Sequence, residues 1–269
     1  MKVKDVTALM DRKFPLRLQE EYDNAGSQLI FMNDEVTGIL LALDADEGVL
    51  AEAAGNGCNL IITHHPFFFK SVKRIIDTDP RSSLLLRLAR ERVSLYASHT
   101  NLDKVYHGKL AEALGFGGGS LLLESDDTRV DGENGYGTRI DLDAPLLLGD
   151  ILARVKERLG LDYLVYRGEQ DAPVRRIALL NGAGGGSIDR VIALHGPQCV
   201  ITGDVGYHNV QGAAARGVAV IDAGHFGTER IYLPYLKKDL EVLLRGTKHA
   251  AHPQVYISES EINPFKVYA

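Results

Sequence analysis

Residues 59–66 read NLIITHHP, an apolar, β-branched run that ends on two consecutive histidines and a proline. The run has the length of a strand and is apolar on both faces, the pattern of a strand buried inside a parallel sheet. Pro66 ends regular pairing, so His64 and His65 can turn toward one crevice where a continuing strand would send them to opposite faces. The same pattern recurs at residues 39–43 (ILLAL), 93–97 (VSLYA), 199–202 (CVIT) and 218–221 (VAVI), each followed by polar residues and then a helix-like segment. Residues 46–54 (DEGVLAEAA) and 81–92 (RSSLLLRLARER) carry apolar side chains at helical spacing, the second opening after Pro80. This alternation predicts an α/β fold, with a parallel or mixed sheet flanked by helices.

Between about 125 and 201 the texture changes. An acidic, glycine-rich stretch (124–137, ESDDTRVDGENGYG) precedes a strand-like TRIDL (138–142), a helix-like LLGDILARVKERLG (147–160) and strand-like segments at YLVYRG (163–168) and RRIALL (175–180). The expectation is a second, smaller α/β domain over 125–201, inserted into a discontinuous metal-binding domain made of 1–124 and 202–269.

Bulk properties narrow the classes. The chain has 269 residues, 45% hydrophobic and 25% charged, which is ordinary for a globular protein of one large or two modest domains. A net charge of −6 with scattered Lys and Arg gives no basic footprint, so nucleic acid is not an expected partner. The first residues lack the apolar core of a leader peptide and no run approaches the ~20 residues needed to span a bilayer, so a cytoplasmic protein without a membrane partner is expected. Cys58 and Cys199 make neither a disulfide framework nor a zinc cluster and read as buried thiols. The 9 histidines stand out, because imidazole is both a metal ligand and an acid/base.

Polar residues beyond the carboxyl ends of parallel strands share a crevice, and three such clusters are rich in ligand types. The first is His64-His65. The second is Ser98-His99-Thr100-Asn101-Leu102-Asp103, in which Asp103 offers a carboxylate and His99 and Asn101 are placed to orient it. The third runs from Asp222 to Glu229; a helix starting near Phe226 would put His225 and Glu229 four apart on one face. His64, His65, Asp103, His225 and Glu229 form a mixed nitrogen and oxygen donor set, suited to two divalent ions of Zn, Mn, Fe or Ni rather than to Ca or Mg. Bridged by a carboxylate, two such ions lie roughly 3.5–4 Å apart and activate water. A fourth segment places Asp204 and His208 as outer groups, and either His99 or His208 would shuttle protons. Residues 20–26 (EEYDNAG) read as a turn, and the glycines of 182–187 (GAGGGS) as a tight strand-to-helix turn, since no Lys-Ser/Thr follows as in a phosphate loop.

The ordered set EYDNAGSQL (21–29), NLIITHHPFFF (59–69), ASHTNLD (97–103), IALLNGAGGGS (177–187), VITGDVGYHNVQGAAARGVAVIDAGHFGTE (200–229) and INPF (262–265) resembles the GTP cyclohydrolase 1 type 2 homologue family, also described as NGG-interacting-factor-like proteins. The resemblance spans essentially the whole chain. It implies a two-metal site on His64, His65, Asp103, His225 and Glu229, a homohexameric ring, and hydrolysis of a small substrate such as GTP or another nucleotide. The family usually has Trp and Val in the first motif, where this chain has Tyr22 and Ala25, and an apolar residue at Ser27. Longer relatives carry an extra domain after the HTNLD motif. The rival expectation is a non-enzymatic protein that handles metal or docks a regulatory partner.

Overall fold

The computed structural model describes residues 1–125, 135–249 and 251–268, so that residues 126–134 of the acidic glycine-rich stretch lie outside the described residues. In chain order the elements are α1 (Val3–Lys13), β1 (Gly26–Leu29), β2 (Gly38–Ala42), α2 (Glu47–Gly55), β3 (Leu60–Thr63), α3 (Pro80–Arg90), β4 (Ser94–Ala97), α4 (Thr100–Val105), α5 (Lys109–Ala113), β5 (Ser120–Glu124), β6 (Gly135–Leu147), α6 (Leu148–Leu159), β7 (Val165–Arg167), β8 (Pro173–Leu179), α7 (Ile188–His195), β9 (Cys199–Thr202), α8 (Tyr207–Ala215), β10 (Ala219–Asp222), α9 (His225–Arg230), α10 (Tyr232–Arg245) and β11 (Gln254–Ile257). They form two compact units, Met1–Leu102 with Leu233–Ile262 and Asp103–Tyr232 with Asn263–Ala269.

The first unit holds a five-stranded sheet in the order β1-β4-β3-β2-β11. β2, β3 and β4 run parallel through the crossover helices α2 and α3, β11 adds a parallel strand beside β2, and β1 is antiparallel to β4. Every residue of β2, β3 and β4 is buried, which is why these runs are apolar without alternation. Leu40, Ala42, Ile61 and Leu95 pack on Val49 and Leu50 of α2 and on Leu84 and Leu88 of α3. The helices start where local chemistry dictates: the Asp46 carboxylate caps Val49 N–H at 2.8 Å, and Asp79 caps Ser82 N–H at 2.9 Å with Pro80 as the first helical residue.

The second unit holds a six-stranded mixed sheet, β5-β6-β8-β9-β10-β7. Its central strands bury both faces by strict alternation. Ile177, Leu179, Cys199, Ile201 and Ile221 pack with Ile151 and Val155 of α6, while Ala178, Val200 and Val220 pack with Val191 of α7 and Ala213 of α8.

This division differs from the expected insertion of 125–201 into 1–124 plus 202–269. β9 and β10 are parallel partners, and β9 pairs with β8, so residues 199–222 share a sheet with the segment read as an insertion. The fold class holds as a mixed α/β protein with helix-flanked sheets, but with two sheets rather than one dominant one. The local pattern of an apolar strand does not say which of two sheets it joins. No helix of the described residues is long and apolar enough to cross a membrane.

Candidate metal-ligating groups

In the first unit β3 and β4 end side by side, with Thr63 in register with Ala97. His64, His65 and His99 follow directly, and their ligand atoms come within 4.8 Å of one another. The chain does not swing freely there: His64 N–H bonds Ala42 C=O at 3.0 Å and His65 N–H bonds Leu43 C=O at 2.8 Å, so the pairing with β2 runs through both histidines.

Each imidazole of this group is fixed at Nδ1 by an oxygen. His64 Nδ1 lies 3.0 Å from Ser98 C=O, His65 Nδ1 3.0 Å from Asp44 Oδ1, and His99 Nδ1 2.8 Å from Asp23 Oδ1. A carbonyl oxygen and ionised carboxylates only accept, so Nδ1 carries a proton in each ring and, in the neutral ring, Nε2 bears the lone pair. This is the arrangement by which proteins prepare imidazoles as metal ligands. His64 is only 2% exposed, so its ring is prepared in a water-poor setting.

Asp23, which the sequence places in a turn without a role, is the acceptor that holds His99. It accepts from His99, from Thr100 N–H at 3.1 Å and from the Thr100 hydroxyl, with Asn24 N–H at 2.7 Å. Burial acts to raise its pKa, but the bond and charge of His99, with Thr100 and Asn24, outweigh it and hold the carboxyl down at about 2. Asn101 has a different task from the one expected. Its side-chain oxygen accepts His99 N–H at 2.9 Å and its amide donates to Phe14 C=O at 2.7 Å, so it fixes the loop.

In the second unit Asp103, 6% exposed, accepts from the Asn181 amide at 2.8 Å. α9 begins at His225, one residue earlier than expected, and the four-residue spacing sets His225 Nε2 3.0 Å from Glu229 Oε2. His225 Nδ1 meets Asp204 Oδ2 at 2.8 Å, giving a fourth imidazole fixed at Nδ1 by an oxygen. Asp204 reaches it from a left-handed conformation, φ +54, that a non-glycine residue rarely adopts.

Glu229, 3% exposed, lies against a glycine for a steric reason. Gly182 has φ +56, and a Cβ there would collide with Glu229 Oε1 and lie 2.9 Å from its Cδ and 3.5 Å from His225 Nε2. Thr228 Oγ1 accepts Gly182 N–H at 2.9 Å, tying the loop to α9. The 182–187 segment is a strand-to-helix connection, as expected, in which Gly184–Ser187 form a short 3-10 helix leading into α7 and the missing side chain of Gly182 makes room for a carboxylate. Below it the Tyr232 hydroxyl is held protonated by burial, reinforced by the charges of Asp103 and Glu229.

His208 stands apart. It is exposed on the first turn of α8, with its ring 5.2 Å from that of Tyr207. Cys58 and Cys199 are buried, and desolvation pushes their thiols up to about 11 and about 12, so they are inert at neutral pH.

The donors fit divalent transition metals: imidazoles held at Nδ1 by an oxygen, buried carboxylates, and a glycine cradle that a side chain would fill. Comparison with known proteins agrees with the architecture. The family model described as Duf34/NIF3 (NGG1p interacting factor 3) matches residues 1–264. A Clostridium acetobutylicum protein described as a GTP cyclohydrolase 1 type 2 homolog is 33% identical over 269 residues, covering 99% of this chain and 98% of that one. A Schizosaccharomyces pombe protein described as a NIF3 homolog is 31% identical over 228 residues, 81% of each chain. Among solved structures, a Staphylococcus aureus hypothetical protein is similar with a TM-score of 0.89 at 26% identity, covering 100% of this chain and 99% of that one.

Proposed function

The chain belongs to the Duf34/NIF3 family, and on that premise we propose that it is a hydrolase that holds two divalent ions on His64, His65, Asp103, His225 and Glu229 and acts on GTP or a similar nucleotide. The observation that carries the reading is the shared orientation of His64, His65 and His225, each held at Nδ1 by an oxygen, with Nε2 of His225 set beside the Glu229 carboxylate at 3.0 Å as a paired nitrogen and oxygen donor. The mixed donors favour Zn, Mn, Fe or Ni. Ions held in this way supply Lewis acidity and make water a nucleophile at neutral pH.

The chain's own residues do the rest. His99 exchanges a proton at Nε2 while Asp23 holds its Nδ1–H, and the ring stays oriented through the transfer. His99 is preferred to His208 for this task, because its ring centroid is 5.2 Å from that of His64 whereas His208 faces outward. The nucleotide class rests on what similar proteins are called, among them a Helicobacter pylori protein described as GTP cyclohydrolase 1 type 2, 30% identical over 233 residues. Assembly as a homohexamer in the cytoplasm belongs to the same reading.

The test is elemental analysis of the purified protein beside His64→Ala and Glu229→Ala, followed by a hydrolysis screen that includes GTP. About two metal equivalents in the parent, lost in both variants together with turnover, is the expected result. Two equivalents without turnover would transfer the protein to metal handling, and absence of metal would remove the site.

A further inference from the structure

Far from the histidines in sequence, the segment that follows β11 places a buried carboxylate against the end of β2. Glu261 is 7% exposed. Its Oε1 accepts Leu43 N–H and Asp44 N–H, each at 2.8 Å, and its Oε2 lies 2.9 Å from Leu43 N–H. These donors lie just past the ladder with β11, whose final register pair is Ile257 with Leu41 and whose last bond is Ser258 N–H to Leu41 C=O at 2.8 Å. The carboxylate takes over where the strand stops, satisfying two backbone donors that the ladder no longer pairs.

Both residues held by Glu261 in turn hold His65. Leu43 C=O accepts His65 N–H at 2.8 Å, and Asp44 Oδ1 faces His65 Nδ1 at 3.0 Å. The Asp44 side chain is 65% exposed, so its position depends on its main chain more than on packing. Glu261 is itself anchored, because Glu52 of α2 accepts Ser258 Oγ at 2.7 Å, Glu259 N–H at 3.0 Å and Ser260 N–H at 3.1 Å.

We infer that Glu261 is a positioning residue for His65: by clamping the Leu43 and Asp44 amides it sets both the backbone and the Nδ1–H tautomer of that imidazole. The inference rests on the reading of His65 as a metal ligand for its purpose, but the tautomer is a property of the metal-free protein and can be measured alone. A Gln at this position keeps an oxygen where Oε1 accepts both amides; an Ala removes it.

The experiment is long-range nitrogen–proton NMR of the imidazoles in the metal-free full chain, then Co(II) titration followed by visible absorption, for the parent, Glu261→Ala, Glu261→Gln and Asp44→Ala. The parent should show His65 with its proton on Nδ1. Glu261→Ala should give a mixture of tautomers, at least tenfold weaker binding of one Co(II) equivalent and an altered ligand-field band. Glu261→Gln should restore most of both, and Asp44→Ala, which removes the acceptor, should reproduce the tautomer mixing with the main-chain clamp intact. A folded Glu261→Ala with the parental tautomer and Co(II) affinity would overturn the inference; if that variant does not fold, a Glu261→Gln no better than Asp44→Ala overturns it. A parent that shows the tautomer but binds no Co(II) would sink the hydrolase reading and leave the positioning role standing.

Discussion

In the first unit the candidate donors are imidazoles at the ends of neighbouring strands, each oriented by an oxygen from another part of that unit. In the second they are two carboxylates and one imidazole carried by helices, and the shape around them matters as much as the bonds. A strand end supplies a fixed backbone but leaves a ring free to rotate about two torsions, so the first group needs acceptors. A helix fixes the spacing of His225 and Glu229 by itself, so the second group chiefly needs room.

That contrast is open to direct attack. The largest effect should come from Gly182→Ala, which puts a methyl group into the Glu229 carboxylate at a φ that costs a non-glycine residue ~1 kcal/mol, on top of about 1–3 kcal/mol for overpacking. Calorimetry should show a lowered Tm, and elemental analysis a loss of metal. Gly186→Ala, where a Cβ meets open space, is the matched control and should lose no metal.

Asp23→Asn should come next, and it tests the acceptors of the first group. The Asp23 carboxyl is lowered from 3.8 to about 2, so its contribution is complete above pH 3.8 and disappears as the pH falls through about 2. Allowing for solvent screening, the contribution is on the order of 1–2 kcal/mol. Acid unfolding should therefore be shallower between those pH values in Asp23→Asn than in the parent; equal slopes would show that His99 is not held through this pair.

Asn181→Ala removes the amide from Asp103 and should weaken metal binding about twofold to tenfold, in line with ~0.5–1.5 kcal/mol for a typical intramolecular hydrogen bond. Isothermal titration would read it. The smallest effect is expected from His208→Ala, an exposed position where stability should change by less than about 0.5 kcal/mol and metal content not at all. Lost turnover there would return the proton shuttle to His208.

Much of this is legible in the sequence alone. The runs at 60–63 and 199–202 are strands with those bounds, and the residues just past such runs carry the donors. What stayed hidden is long range. Asp23 is 76 residues from His99, Asn181 is 78 from Asp103, and Glu261 is 218 from Leu43, so no local period or spacing joins them. The split into two sheets was hidden for the same reason: strand pairing over such distances is decided by packing, and both sheets draw on the same apolar vocabulary. The 182–187 glycines were recognised as a turn, but the reason for Gly182 lies in Glu229, on a different element.

The first unit's interruption bears on how the protein is made. A ribosome working at ~5–20 residues per second completes β2, β3 and β4, then makes all of Asp103–Tyr232 before β11 exists, a delay on the order of ten seconds or more. Throughout that interval the apolar β2 is an open edge of the kind that invites pairing with another chain. The second unit, with all six of its strands inside that continuous stretch, can finish before the first one closes. Chain order therefore lets the later-made unit close first, and the edge of β2 stays uncovered until its last neighbour, β11, is made.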